Sequence, residues 1–292
     1  MGALDGRVVI VTGAGRGIGR AHALFFAASG ARVVVNDLGG SVDGSGGETG
    51  AARQVADEIT AAGGTAVAST HDVADEDGAA NLVTTALEAF GELHALVNNA
   101  GILRDRVLIN LSVDDWDTVL RIHLRGHFLP TRSAAAHWRE LAKAGDDTPR
   151  AVVNTTSTSG LIGNPGQSNY GTAKAGIAAF TVITAQELAR YGVRVNAIAP
   201  AARTRMTDQT PGLAELVAAP AEASAFDGWD PANVAPLAAY LCTAACAVTG
   251  RVFYIQGGEV RLFRPWSFGE GIEKTGRWTV EELAERLPGL GG

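Results

Sequence analysis

Short runs rich in β-branched residues alternate with longer segments of helical length along most of this chain. Such alternation is typical of βαβ units, in which helices join parallel strands. The short runs are almost continuously apolar, as expected of strands that helices cover on both faces. We therefore predict a doubly wound α/β fold with a seven-stranded parallel sheet. The predicted strands are residues 7–12, 32–37, 66–70, 94–98, 151–156, 193–198 and 252–255, and the predicted helices are residues 17–29, 51–62, 76–90, 114–143, 168–190 and 233–243.

Two segments depart from this alternation. Residues 39–50 contain six glycines and are predicted to form a flexible loop after the second strand. Residues 259–292 follow the last predicted strand, and a capping-box pattern at Thr279 predicts a short helix within them. That helix would cover the chain's own core or dock on a partner subunit. We predict one domain over residues 1–258 and a C-terminal extension over residues 259–292.

Composition and charge exclude several classes of function. The chain has 292 residues, is 46% hydrophobic and carries a formal net charge of -7. An acidic chain without a Lys/Arg cluster argues against a nucleic-acid binder. Cys242 and Cys246 are too few for a disulfide framework and fit a reducing compartment. With no signal-peptide pattern and no apolar run of roughly 20 residues, we predict a cytoplasmic protein without a membrane span.

A glycine-rich turn lies between the first predicted strand and the first predicted helix. Residues 12–19 read Thr-Gly-Ala-Gly-Arg-Gly-Ile-Gly. Glycines let a backbone approach a pyrophosphate closely, and a helix N-terminus supplies N–H donors and positive potential. A tight connection without a ligand is the alternative, but the strand–turn–helix context favours dinucleotide binding by a Rossmann fold. The candidate cofactor residues in the turn are Gly13, Arg16, Gly17, Ile18 and Gly19.

Residues at the ends of the next three strands extend the predicted cofactor site. Asp37 ends the second strand, where a carboxylate accepts hydrogen bonds from ribose hydroxyls and repels a 2′-phosphate. Because no basic residue stands beside Asp37, we predict NAD rather than NADP as the cofactor. Asp72 and Val73 follow the third strand and are predicted to hold the adenine edge. Asn99 follows the fourth strand.

A tyrosine, a lysine and an upstream serine are the candidate catalytic groups. Tyr170 and Lys174 are four residues apart, so they share one face of a helix. Ser157 follows the fifth strand, and Ser159 is the rival candidate for its role. A free phenol titrates near 10, and nearby positive charge favours the phenolate. A lone Tyr-x3-Lys is usually a surface pair. In a chain that also has a glycine-rich cofactor turn and the upstream serine, it predicts acid–base chemistry.

These motifs resemble, in order and spacing, those of the short-chain dehydrogenase/reductase family. The resemblance covers about residues 5–258 and includes the Asn-Asn-Ala-Gly sequence at residues 98–101. It implies that Tyr170 is the acid/base and that Ser157 hydrogen-bonds the substrate oxygen. It also implies that Lys174 lowers the pKa of the tyrosine and holds the nicotinamide ribose.

His123 stands where most members of the family have asparagine. In the family that asparagine offers its backbone carbonyl to a relay water, and the carbonyl survives the exchange, so His123 remains a candidate catalytic residue. His123 and His127 are also four residues apart, which is a spacing that metal ligands use. No third ligand is evident, and we predict no metal.

Further segments resemble the dehydrogenase part of the peroxisomal multifunctional β-oxidation enzyme, also named as a 17β-hydroxysteroid dehydrogenase type, and its bacterial single-domain relatives. This resemblance implies NAD-dependent oxidation of the 3-hydroxyl of (3R)-3-hydroxyacyl-CoA, on a fatty-acyl or sterol side chain. The alternatives are a hydroxysteroid dehydrogenase on free sterols, an oxoacyl-carrier-protein reductase and a non-catalytic nucleotide-binding scaffold. The segments are residues 36–40, 101–106, 123–126, 163–170 and 199–207.

A CoA thioester would need positive charge for its phosphates and an apolar cover for its acyl chain. Arg104, Arg106, Arg203 and Arg205 are candidates for the phosphates, although such arginines are more often solvated or paired. Residues 213–219 are predicted to form a short mobile helix that closes over the acyl group.

The predicted helices over residues 114–143 and 168–190 carry more apolar residues than one face of a sheet requires. In the family that the chain resembles, these two helices pair across a two-fold axis. We therefore predict a homodimer or homotetramer with isologous contacts.

Overall fold

A computed structural model of the chain confirms the doubly wound α/β fold. It describes residues 2–45, 50–204, 215, 217–222, 224–264 and 267–291. The strands are β1 (Val8–Thr12), β2 (Arg32–Asn36), β3 (Thr65–Ser69), β4 (Ala95–Asn98), β5 (Arg150–Thr155), β6 (Val193–Pro200), β7 (Val252–Gln256) and β8 (Glu259–Phe263). They form one sheet in the order β3-β2-β1-β4-β5-β6-β7-β8, and all pairs from β3 to β7 are parallel.

Helices cover both faces of this sheet. In the described part of the chain they are α1 (Gly17–Ala28), α2 (Ala51–Ala61), α3 (Glu76–Phe90), α4 (Val113–Leu120), α5 (Gly126–Lys143), α6 (Thr158–Leu161), α7 (Ser168–Leu188), α8 (Ala235–Cys242) and α9 (Val280–Arg286). None of the helices in these ranges is long and apolar enough to cross a membrane.

The alternation of side chains along each strand divides the core into two layers. In β1, Val9 and Val11 pack into the layer that α1, α2 and α8 cover. Val8 and Ile10 face the opposite layer, which includes Leu82 of α3 and Trp138 of α5. All residues of β1 are buried, because β1 pairs with β2 on one side and β4 on the other. Burial on both faces explains the continuous apolar runs in the sequence.

The sheet has one strand more than the seven that the sequence predicted. β8 follows β7 after Gly257 and Gly258, and a two-residue connection joins strands only in antiparallel fashion. Most of its side chains are exposed and include Glu259 and Arg261, so the strand lacks the apolar run that marked the other seven. Charged edge strands of this kind discourage pairing with further strands.

The helix predicted over residues 114–143 is not a regular α-helix throughout. α4 and α5 are joined by a π-helical turn at Arg121–Arg125, so one extra residue is accommodated without breaking the helix. Turns of this type are frequently found at functional sites. Here the turn contains His123, which is fully buried.

The described chain divides into two compact units, Met1–Leu262 and Phe263–Gly292. The smaller unit contains α9, which begins at the predicted capping box. The Thr279 hydroxyl accepts a hydrogen bond from the Glu282 N–H, and the Glu282 carboxylate accepts one from the Thr279 N–H. Lys274 also pairs with Glu282 and lies 5.0 Å from the centre of the Trp278 ring.

Candidate active site

The predicted site residues meet at the carboxyl ends of the central strands. The glycine-rich turn follows β1, Asp37 follows β2, Asn99 follows β4 and Ser157 follows β5. Chain connections run in opposite directions from β1 and β4, so a crevice opens between these two strands. In doubly wound sheets such a reversal marks the place where ligands bind.

The glycine-rich turn has a backbone that only glycines tolerate. Gly13 and Gly17 have φ angles of 62° and 53°, in the left-handed region. A Cβ atom on Gly19 would lie 2.1 Å from the Gly13 oxygen. The absence of a side chain at Gly19 therefore lets α1 start directly against the turn. This cradle fits a cofactor pyrophosphate, because its first helical N–H groups receive no side-chain cap from Arg16.

Asp37 is tied to the glycine-rich turn by its own carboxylate. Oδ2 accepts a hydrogen bond of 2.8 Å from the Gly15 N–H, and Oδ1 accepts one of 2.7 Å from the Gly39 N–H. A Cβ atom on Gly15 would lie 2.8 Å from Oδ2, so Gly15 also belongs to the site. The prediction omitted Gly15, although its place between two other glycines of the motif was a visible signal.

Asp72 is engaged by a residue that the sequence did not suggest. Its Oδ2 accepts a hydrogen bond of 2.6 Å from Arg121 in the π-helical turn, and its Oδ1 accepts one from the Ala74 N–H. Val73 is buried. These contacts fix the loop after β3, where the sequence predicted the adenine edge.

Tyr170 and Ser157 lie side by side. Tyr170 is on the first turn of α7, and its side chain makes a hydrogen bond with Ser157. The Ser157 hydroxyl also accepts a hydrogen bond from the Ser159 N–H, so Ser157 caps α6 while it faces the tyrosine. This contact favours Ser157 over Ser159 as the partner of the phenol. Burial raises the pKa of Tyr170 to about 12, the nearby Asp105 carboxylate raises it further, and the Ser157 hydrogen bond opposes both.

Lys174 lies one helical turn beyond Tyr170 and is 2% exposed. Its Nζ donates a 2.7 Å hydrogen bond to the Thr155 carbonyl at the end of β5 and lies 5.4 Å from the centre of the Tyr170 ring. Burial lowers the pKa of Lys174 to about 7. The ammonium is therefore close to the phenol, but its charge near neutral pH depends on its surroundings.

His123 packs its ring against Tyr170 rather than only offering a backbone carbonyl. The two ring centres are 5.2 Å apart and the planes are nearly perpendicular. Its Nε2 lies 2.8 Å from the Ile102 oxygen, and burial lowers its pKa to about 3, so the ring is neutral. A Cβ atom on Gly101 would lie 2.4 Å from Cε1, which explains the glycine at that position.

Two of the four candidate arginines are held by carboxylates, whereas Arg106 donates a 2.8 Å hydrogen bond to the Asp105 carbonyl. Arg104 donates a 2.7 Å hydrogen bond to Asp114 and a 2.8 Å hydrogen bond to the Asp43 carbonyl. Arg203 forms an ion pair with Asp227. These contacts favour the paired interpretation over free binding of CoA phosphates. Arg205 and residues 213, 214 and 216 of the predicted acyl-covering helix at 213–219 lie outside the described residues, and none of the four described residues of that segment is helical.

The remaining thiols and histidines form no cluster of metal ligands. Within the described ranges, no group of three or more His, Cys, Asp or Glu residues could hold an ion. Cys242 and Cys246 are buried free thiols, and burial raises the pKa of Cys242 to about 12. A thiol with so high a pKa is unreactive at neutral pH.

Comparison with known proteins agrees with this geometry. The family model described as short chain dehydrogenase matches residues 7–212. The chain is a short-chain dehydrogenase. Enzymes of this family are oxidoreductases that act on CH–OH groups and use NAD or NADP, so the predicted class of enzyme is confirmed.

Individual relatives confirm the narrower resemblance as well. Hydroxyacyl-CoA dehydrogenase ChsB1 of Mycobacterium tuberculosis is 46% identical over 292 residues, which cover 97% of this chain and 88% of that protein. Peroxisomal multifunctional enzyme type 2 of Mus musculus is 43% identical over 260 residues, which cover 89% of this chain and 33% of that protein. The crystal structure of a short chain dehydrogenase from Mycobacterium avium is 52% identical, covers 99% of this chain and 95% of that one, and has a TM-score of 0.87.

Gly19→Ala tests the cofactor cradle of this short-chain dehydrogenase. The added methyl group would collide with the Gly13 carbonyl, so α1 would have to move away from the turn. We expect NADH affinity, measured by fluorescence titration, to fall by about tenfold or more. Gly258→Ala is the matched control, because no described atom lies within 4 Å of its added Cβ. Equal NADH affinity in the two variants would contradict the assignment of the cradle.

Proposed function

We propose that this short-chain dehydrogenase oxidises the 3-hydroxyl group of (3R)-3-hydroxyacyl-CoA to the 3-oxo group, with NAD as hydride acceptor. The observation that carries the proposal is the contact of Ser157 with Tyr170, whose ring centre lies 5.4 Å from the Lys174 ammonium. The similarity to a hydroxyacyl-CoA dehydrogenase over 97% of the chain supports the choice of substrate. A hydroxysteroid dehydrogenase is the alternative within the same chemistry.

The three side chains can orient a secondary alcohol and remove its proton. The Ser157 hydroxyl donates to or accepts from the substrate oxygen, while the Tyr170 oxygen beside it takes the hydroxyl proton. A bound nicotinamide supplies the acceptor for the hydride that leaves the same carbon. Because burial raises the pKa of Tyr170 to about 12, the phenolate requires a positive charge nearby, and Lys174 supplies it.

The proposed preference for NAD rests on Asp37. Its carboxylate is fixed at the rim of the cradle by two backbone N–H groups, and it retains lone pairs for ribose hydroxyls. A 2′-phosphate in the same place would meet a fixed negative charge. The carboxylate therefore favours the ribose of NAD in two ways.

Asp37→Asn tests this preference. The amide keeps the shape of the side chain but removes its charge, so repulsion of NADP falls while some hydrogen bonds to NAD remain. We expect the ratio of kcat/KM for NAD over NADP to fall by about tenfold. Asp5→Asn is the control. It removes the charge of an exposed carboxylate before β1 and should leave the ratio of kcat/KM values unchanged. A wild-type enzyme with equal efficiency on both cofactors would refute the proposed preference.

A substrate panel combined with Tyr170→Phe tests the reaction. We expect (3R)-3-hydroxyacyl-CoA to be oxidised far more efficiently than free hydroxysteroids or the same acid without CoA. Tyr170→Phe removes the proton acceptor but keeps the ring, so kcat should fall by about 10²-fold or more while NADH affinity stays unchanged. Activity on free sterols alone would favour the hydroxysteroid alternative, and substantial activity in the variant would place the base elsewhere.

We also propose that the enzyme is a cytoplasmic homodimer or homotetramer. Phe128 of α5 and Phe180 of α7 lie edge to face, with ring centres 6.5 Å apart, and Phe128 is 43% exposed. Ile183, one turn along α7, is 54% exposed. A run of exposed apolar side chains on two adjacent helices is suited to an isologous contact with a second copy.

Ile183→Asp tests the proposed contact. A carboxylate in the middle of an apolar interface is costly to bury, so we expect the sedimentation coefficient to shift toward that of a smaller species. Thr84→Asp, on the exposed face of α3, adds the same charge away from this surface and should leave the mass unchanged. A wild-type monomer at micromolar concentration would overturn the proposal.

A further inference from the structure

A second histidine, His127, is buried beneath the catalytic lysine. It is the second residue of α5, directly after the π-helical turn, and it is 1% exposed. Neither of its ring nitrogens has a hydrogen bond of normal geometry within the described residues. The Thr155 hydroxyl and the Asn98 side-chain oxygen are also unpartnered there. Buried polar atoms are rarely left unpaired in folded proteins, so this cluster requires an explanation.

The Thr155 carbonyl connects the His127 ring to Lys174. The Lys174 Nζ donates to this carbonyl at 2.7 Å. The same carbonyl also faces the His127 ring, as does the carbonyl of His123 one turn earlier. The imidazole and the ammonium therefore lie near the same carbonyl oxygen at the end of β5, although only the ammonium makes a hydrogen bond of normal geometry to it. The backbone oxygen of His123 is the second polar group that the ring meets.

The charges around the ring keep it neutral. Lys174 approaches from α7 and His123 from the π-helical turn, and burial together with the Lys174 charge lowers the pKa of His127 well below its usual 6.5. Beyond Lys174 lie Tyr170, also on α7, and Asp105, whose carboxylate acts on Tyr170. A neutral imidazole carries one N–H donor and one acceptor. It can therefore present a polar atom to the Thr155 carbonyl while the Lys174 ammonium donates to the same carbonyl.

We propose that His127 is a positioning residue for the proton transfer to Tyr170: its neutral ring, set between the His123 and Thr155 carbonyls, provides the polar environment in which Lys174 stays charged beside Tyr170. The inference rests on the proposed role of Tyr170 and Lys174, but not on the identity of the substrate. It assigns a purpose to a buried histidine that otherwise makes no hydrogen bond of normal geometry within the described chain.

Removal of the ring polarity has opposite effects on the two titrating groups. A hydrocarbon beside Lys174 adds to its desolvation, which already lowers its pKa to about 7, so the ammonium loses its proton at a lower pH. A neutral lysine no longer stabilises the phenolate, so the pKa of Tyr170 rises. Because oxidation requires the phenolate, the acid limb of the rate profile moves to higher pH.

The test compares His127→Phe and His127→Leu, which remove both ring nitrogens, with His127→Gln, which keeps a donor and an acceptor. In the apolar variants we expect the acid limb of kcat for oxidation to move up by about one pH unit and kcat at pH 7 to fall about tenfold. KM for the hydroxyl substrate should change less than about twofold, because His127 does not touch it. His127→Gln should restore most of the wild-type profile.

NADH affinity measured over the same pH range provides a readout that needs no substrate. In the apolar variants, the pH at which affinity declines should move down by about one unit, because Lys174 deprotonates earlier. This measurement separates the proposed role of His127 from the proposed substrate. If the enzyme does not oxidise 3-hydroxyacyl-CoA, the pH dependence of NADH affinity still tests His127.

His22→Phe is the matched control. His22 on α1 is also fully buried with both ring nitrogens unpartnered among the described residues, and burial lowers its pKa to about 3. This variant should lower the melting temperature without moving either pH midpoint. Folded apolar His127 variants with wild-type midpoints would overturn the inference. So would a midpoint displaced by about one pH unit in His127→Gln, which can be measured even where the apolar variants do not fold.

Discussion

The hydrogen bonds between Thr12 and Asn99 determine where every other part of the site lies. The Thr12 hydroxyl accepts hydrogen bonds from the N–H groups of Asn99 and Ala100, and the Asn99 side chain donates back to the oxygens of Thr12 and Gly13. These contacts close the carboxyl ends of β1 and β4 together, although the chain leaves the two strands in opposite directions. The glycine-rich turn is thereby tied to the end of β4 beside the crevice. Asn99 acts here as a brace for the turn, a role that its place after β4 did not reveal.

Patterns that follow from local geometry could be predicted from the sequence, and those that depend on packing could not. Tyr170 and Lys174 were paired because helical periodicity puts them on one face, and the seven parallel strands were visible as apolar runs. β8 was missed because an exposed, charged edge strand has no such run. The ion pair of Asp72 with Arg121 joins residues 49 positions apart and depends on the π-helical turn, for which the sequence offers no periodic signal. Gly101 ends the Asn-Asn-Ala-Gly motif, but the reason for a glycine there, the His123 ring against it, is visible only in the structure.

Burial works against the chemistry that the site has to perform. It raises the pKa of Tyr170 to about 12 and lowers that of Lys174 to about 7, so each group is driven toward its neutral form. The two neutral histidines nearby add no positive charge, because burial also lowers their pKa values. Acid–base function therefore depends on charge supplied at close range and on polar groups that tolerate it. Lys174 Nζ lies 5.4 Å from the centre of the Tyr170 ring, and where two such groups titrate together, the apparent pKa values of a rate profile belong to the pair rather than to either residue.

The ion pairs of the arginines restrict how a CoA thioester could bind. Arg104 already neutralises Asp114 and holds the Asp43 carbonyl, while Arg203 is engaged with Asp227. A phosphate that bound either guanidinium would leave the partner carboxylate unpaired beside a new negative charge. The stabilisation from the phosphate–guanidinium contact would therefore be offset by the loss of the guanidinium–carboxylate ion pair. Asp114 is 83% exposed and can be screened by water, whereas Asp227 is 19% exposed and cannot be released as easily. If either arginine contributes to recognition of the thioester, the exposure of these partners makes Arg104 the better placed of the two.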